Sequence, residues 1–256
     1  VFVKYGAEIT GNADNFGGSS NRHYNIIGGR SGADKKASSN AVTIDGGTIG
    51  NSSVTNVIVG GIVSGGGDAV SNKVTIQGGT FKGSFDIFGA QSSTRQNIAN
   101  SVRISYGGGT STITLSGSGR IWGAAGGSGN STANSVTINA RLKAENYQVI
   151  GGQANSASVM SANKVEINND DAIVGSATGS YGGASSSRSV VDLIKGKVKG
   201  DVAAANGITG ESDGDRVTLG ASDSNKGVHI GGNVYGARAG SVKNAVVYIN
   251  KERTTI

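Results

Sequence analysis

The residues of this chain best suited to chemistry are its carboxylates, and the candidates fall in three places: Asp170 with Asp171, Asp201, and the run Glu211, Asp213 and Asp215. Paired carboxylates act as acid and base on a glycosidic bond or hold a divalent cation, so these positions define an enzymatic reading, a polysaccharide lyase or glycosidase. Against it, the first pair follows Asn168-Asn169 in turn-like sequence and the last run lies among glycines, where acidic residues commonly serve turns. The two histidines, His23 and His229, stand near opposite ends of the chain, which argues against a shared metal site or a Ser-His-Asp arrangement; each reads as a surface histidine. No Gly-x-Ser-x-Gly sits between a strand and a helix, and there is no Cys for a disulfide or thiolate ligand. The expectation is a protein with no catalytic residue, no metal and no cofactor.

Charge excludes a further class. The net charge of +6 comes from 23 basic and 17 acidic residues, and the densest basic spots are Lys35-Lys36 and the alternation Lys195, Lys197, Lys199. These are too thin to track a phosphate backbone, so no nucleic-acid partner is expected. No apolar run approaches the roughly 18 residues of a membrane span. The opening Val-Phe-Val-Lys carries no signal peptide, and the chain reads as a piece of a longer protein. Asn51-Ser-Ser53 and Asn130-Ser-Thr132 match a glycosylation sequon, a match that chance produces readily in so Asn- and Ser-rich a chain.

What positions these residues is a repeat. Asn40-Ala-Val-Thr-Ile44 recurs as Asn72-Lys-Val-Thr-Ile76, Asn100-Ser-Val-Arg-Ile104, Asn134-Ser-Val-Thr-Ile138 and Asn163-Lys-Val-Glu-Ile167, with degenerate copies at 189–193, 215–219 and 244–249, the last with an extra residue suggestive of a bulge. The mean step of about 29 residues lies in the solenoid range. Between copies comes a second unit, two apolar residues and then two small ones, as in Ile58-Val59-Gly60-Gly61 and Ile121-Trp122-Gly123-Ala124. Such short β-branched units cannot bury a face alone, and no helical pattern is present to serve as a crossover. They must stack like on like, which predicts an all-β fold: a parallel β-helix of about eight coils, right-handed, forming a single domain over residues 1–256.

Strand alternation turns Val42 and Ile44 and their equivalents inward, and sets Thr43, Thr75, Arg103, Thr137, Glu166, Asp192 and Thr218 on the solvent side. The recurring Asn either takes a left-handed corner conformation or stacks its amides in a ladder. The Gly pairs are expected to supply sharp turns or positive φ. In the second unit, Ile26, Ile58, Ile87, Ile121, Val149, Val202 and Val234 form an inward column, yet the next column, Ile27, Val59, Phe88, Trp122, Ile150, Tyr181, Ala203 and Tyr235, is apolar as well. Either the structure covers it, or it is an exposed stripe; in the second case Ile27, Val59, Phe88, Trp122, Ile150, Tyr181 and Tyr235 form a surface for partner binding or for a homo-oligomer, a dimer or trimer. The loops at 64–68 and 106–112 are the next candidates for recognition.

Asn-x-Val-Thr-Ile-x-Gly-Gly-Thr, at 40–48 and 72–80, together with Gly-Asn-Val-Tyr-Gly at 232–236, resembles the repeats in passenger domains of bacterial autotransporter adhesins of the type V secreted family. The resemblance covers nearly the whole chain and implies export to the bacterial cell surface, anchoring to the outer membrane through a region outside this chain or release as a secreted protein. It implies virulence-type adhesion to a host cell-surface protein or glycan, or to other bacterial cells.

Overall fold

The computed structural model describes residues 1–4, 6–9, 22–32 (the backbone alone at 22–24), 34–107, 112–220, 227–250 and 254–256. Among these residues there is no helix, and the strand pairings with a recorded register are all parallel. The first ladder runs through strands Phe2–Lys4, Ala41–Ile49, Lys73–Phe81, Ser101–Ile104, Ser135–Ile138, the start of Lys164–Tyr181, Val190–Val198, Arg216–Leu219 and Val246–Ile249. Val42, Val74, Val102, Val136, Val165, Val191, Val217 and Val247 lie in one register, as do Ile44, Ile76, Ile104, Ile138, Ile167, Leu193, Leu219 and Ile249. The chain is therefore a β-solenoid of about seven turns with a spacing near 29 residues.

β-Branched residues suit this path because each inward side chain packs between its equivalents in the coils on either side. The result is one continuous aliphatic interior extending from Val3 to Ile230. A fully buried Val or Ile contributes about 1.5–3 kcal/mol, and these columns are the main source of cohesion between coils. Where coils 85–119 and 142–153 need an extra filler, Tyr147 enters the interior fully buried. Its hydroxyl accepts from the Phe85 N–H at 3.0 Å and donates to the Ser116 carbonyl at 3.2 Å, and burial pushes its pKa up to about 12.

Two local readings change. Val246 pairs with Arg216 and Val247 with Val217, so Ala245 occupies the position of Asp215, and Asn244 the corner before it; there is no bulge in the last copy. The left-handed corner belongs to the residue preceding the recurring Asn: Ser39, Ser71, Ala99, Ala133, Ala162, Arg188 and Asn244 have φ between 50° and 57°. The Asn itself is thereby free for the second of its two expected roles.

Candidate binding face

The recurring Asn builds a buried amide ladder along the inside corner. Asn40 Nδ2 donates to Asn72 Oδ1 at 2.8 Å, Asn72 to Asn100 at 3.0 Å, Asn100 to Asn134 at 3.0 Å and Asn134 to Asn163 at 3.1 Å. Each Oδ1 also accepts the backbone N–H of the preceding Asn, and the Nδ2 groups of Asn72, Asn100, Asn134 and Asn163 donate a second bond to the carbonyls of Ala37, Ala69, Asn97 and Ser131. A buried amide so fully satisfied costs little and locks the register of successive coils.

The second-unit strands cross directly over this ladder, which explains their Gly pairs. A Cβ on Gly61 would lie 2.4 Å from Asn72 Cγ, and one on Gly123 would lie 2.3 Å from the Gly151 carbonyl oxygen and 2.6 Å from the Ser135 nitrogen. Neither glycine has positive φ, so the expected turn function gives way to close approach of two walls. The arrangement holds the second ladder tightly against the first and leaves its outer side as a flat flank.

Past Asn163 the ladder changes chemistry. Ser180 stands in register with Gly152, and its hydroxyl lies 3.0 Å from Asn163 Nδ2 and 2.6 Å from the Ser189 hydroxyl, so a larger residue on one wall compensates a smaller one on the other. The Ser189 N–H donates to Asp215 Oδ1 at 2.6 Å; Ser186 Oγ donates to the same oxygen and Ser212 Oγ to the other. Asp215 is fully buried, and burial, outweighing these hydrogen bonds, raises its carboxyl above the ordinary value.

On the outer flank, register places Ile27, Val59, Phe88, Trp122, Ile150, Thr178, Ala203 and Tyr235 in one column. Tyr181 is not in it: it pairs with Gln153 and Asn206, three positions further along the strand, and Thr178 holds the place assigned to it from sequence. The misassignment follows from reading Tyr181-Gly182-Gly183 as the second unit, when Ala177-Thr178-Gly179-Ser180 is the aligned stretch. Nor is the column a uniformly exposed stripe. Val59, Phe88, Trp122 and Ile150 are 0–8% exposed and form a second small core with Val57, Ile62 and Ala125, with Ile27 partly buried against it. Phe88 meets Trp122 edge-on at 5.6 Å, and the Arg120 guanidinium lies 5.0 Å from the Trp122 ring centre. With these members covered, the column offers little apolar area to a second copy. Tyr181, 44% exposed and outside the column, and the half-buried Tyr235 within it face an open space.

That space is a groove of about 310 Å³ lined by Ile150, Thr178 and Ala203 along its floor, Gln148, Ser176 and Asp201 on one side, Tyr181 and Asn206 on the other, and Tyr235 at its end. It arises because the column drops from Trp122 and Ile150 to Thr178 and Ala203 and rises again at Tyr235. Among the described residues, no hydrogen-bond partner satisfies the side chains of Gln148, Ser176, Thr178 and Asn206 or the hydroxyls of Tyr181 and Tyr235. Arg238 lies 4.9 Å from the Tyr235 ring centre and 3.7 Å from Asp201, so the groove's one carboxylate has a cation beside it.

The remaining carboxylate candidates other than Asp170 are engaged, whereas Asp170 Oδ1 is buried with no hydrogen-bond partner among the described residues. Asp171 pairs with Arg141 at 3.1 Å, and Glu211 with Lys243 at 2.6 Å; Asp213 accepts from Asn244 at 2.9 Å. Asp170, Asp171 and His229 border a separate groove with Arg141, Lys143 and Lys197. Among the described residues, no three His, Cys, Asp or Glu side chains gather as a metal site. The side chain of His23 and residues 108–111 of the 106–112 loop lie outside the described residues. No helix of the described residues is long and apolar enough to cross a membrane. No protein-family model, curated protein or solved structure matches the chain.

Proposed function

We propose that this chain is a non-catalytic adhesive module of a bacterial cell-surface protein, similar to autotransporter passenger domains, which meets a host receptor or a neighbouring cell through the flank of its second ladder. The observation that carries this reading is the groove between Ile150 and Tyr235. It is a concave site with unengaged polar side chains on strands paired in parallel with both neighbouring coils, and concave sites with a few convergent polar groups are where ligands bind. Presentation from a rigid solenoid, with a surface role implied by the sequence repeats, suits adhesion. The enzymatic alternative asks for carboxylates converging on one substrate, whereas Asp171, Asp201, Glu211, Asp213 and Asp215 occupy separate ion pairs and hydrogen bonds, which leaves Asp170 alone without such a partner among the described residues.

The test is adherence. Beads coated with the purified chain are expected to bind epithelial or bacterial cells saturably, and the soluble chain is expected to compete. Adherence no greater than that of albumin-coated beads overturns the reading. New reducing ends or unsaturated uronates released from pectin, alginate or hyaluronan would replace it with the enzymatic one.

A further inference from the structure

The groove between Ile150 and Tyr235 has a composition that selects its ligand. Its floor is small and apolar, its rims carry amide and hydroxyl groups, and an exposed tyrosine stands at one side with a second at the end. From the coil of Ile150 to that of Tyr235 is three ladder steps, about 14 Å, enough for a short oligosaccharide lying along the solenoid axis. The strands beneath are paired on both sides, Lys164–Tyr181 with its neighbours in the preceding and following coils and Val202–Asp213 likewise. A peptide therefore finds no free edge for strand addition, and recognition falls to side chains alone.

We infer that this groove binds a neutral glycan, with pyranose rings laid against Tyr181 and Tyr235 and their hydroxyls bonded by Gln148, Ser176, Thr178, Asn206 and Asp201. Aromatic rings present an apolar face with a polar tip, which matches the C–H faces and hydroxyl edges of a sugar. Amides and hydroxyls both donate and accept, as sugar hydroxyls do, while a carboxylate accepts from them. Charge selects neutrality. The only charged side chain lining the groove is Asp201, and the nearest cation, Arg238, is already beside it, so a sialylated or sulfated chain would bring its anion to a carboxylate.

This inference rests on the adhesive reading and specifies its ligand, but the two are separable by experiment. Binding of lactose, N-acetyllactosamine, a blood-group trisaccharide, chitotriose and maltotriose to the chain is measured by calorimetry, with 3′-sialyllactose and a heparin disaccharide as acidic controls. At least one neutral sugar is expected to bind saturably. Tyr181→Ala, at an exposed position where folding is not at risk, is expected to weaken that binding by about tenfold or more, as is Ala203→Trp, which fills the floor. Thr137→Ala, on the outer side of the first ladder, is expected to leave it unchanged, and circular dichroism checks the fold of each variant. The inference is overturned if no neutral sugar binds, if only the acidic controls bind, or if both groove variants bind as the parent does. Should cell adherence persist in any of those outcomes, the adhesive reading stands and the groove is not its site; should sugar binding be found without adherence, the groove stands and the adhesive reading fails.

Discussion

The coils led by Asn40, Asn72, Asn100, Asn134 and Asn163 and those led by Ser189 and Asp215 share one backbone plan but differ in what they place on either side of it. In the first set, an all-amide ladder runs beneath Gly and Ala, and the outer flank is filled by Val59, Phe88, Trp122 and Ile150. In the second, hydroxyls and one carboxylate carry the ladder on, and the flank, which drops at Thr178 in the Asn163 coil, stays low at Ala203. The pairing stays parallel through the change, and the Val165, Val191 and Val217 register is kept. The lesson is that the aliphatic columns hold the solenoid together, whereas corner and flank are free to vary, one tuning stability and the other opening a site.

The largest effect expected in this comparison comes from closing the gap between the walls. Gly123→Ala sets a methyl against the Gly151 carbonyl and the Ser135 nitrogen, and a loss of about 3 kcal/mol is expected in urea unfolding. In the second set Ala204 already fills the equivalent column, and the reverse change there, Ala204→Gly, should cost only about 1 kcal/mol. Comparable losses at the two positions would break the distinction.

Next is the ladder itself. Asn100→Ala removes two donated bonds, to Ala69 and Asn134, and strands the Asn72 N–H and amide that Asn100 accepts; about 3 kcal/mol is the expected cost. Ser189→Ala removes only hydroxyl contacts and should cost about 1 kcal/mol by the same assay.

Asp215→Asn should go the other way and gain about 1 kcal/mol at neutral pH, because it takes a buried charge out of the ladder while keeping an acceptor for the Ser189 N–H. The sign with pH follows from the raised carboxyl. The folded chain holds this proton more tightly than the unfolded chain, so stability from protonated Asp215 is present below the ordinary value of 3.8 and is lost as pH rises through the raised one. The advantage of Asn over Asp should therefore grow with rising pH across that window and vanish in acid; thermal melts at a series of pH values measure it.

The smallest effect is expected at the corners. Ala133→Gly relieves a left-handed alanine, against a greater entropy loss on folding, for a net gain of up to about 1 kcal/mol. Gly214, with φ of 67°, already fills this corner ahead of Asp215, so no comparable gain is available there.

Much of this was legible beforehand. The spacing of Val42, Ile44 and their equivalents, alternating with polar residues, identified the coil and its inward face, because a repeat too short to bury itself must stack on its neighbours. The groove was not legible. Tyr181 sits beside a Gly pair that imitates the second unit, and only the pairing of Ile150 with Thr178 and of Gly152 with Ser180 sets Tyr181 three positions further along the strand and puts Thr178 in its place.

By itself, then, the sequence determined the parallel solenoid, the inward columns and the Asn positions, all of which follow from residue type at a fixed period. Tertiary structure alone decided that the glycines serve close approach, that the corner conformation falls on the residue before each Asn, that Val59 to Ile150 are covered, and that Thr178 and Ala203 leave a notch. Those outcomes depend on which atoms of different coils meet across the ladder and along the flank, and a spacing read along one strand does not specify distances between residues some 26 to 34 positions apart.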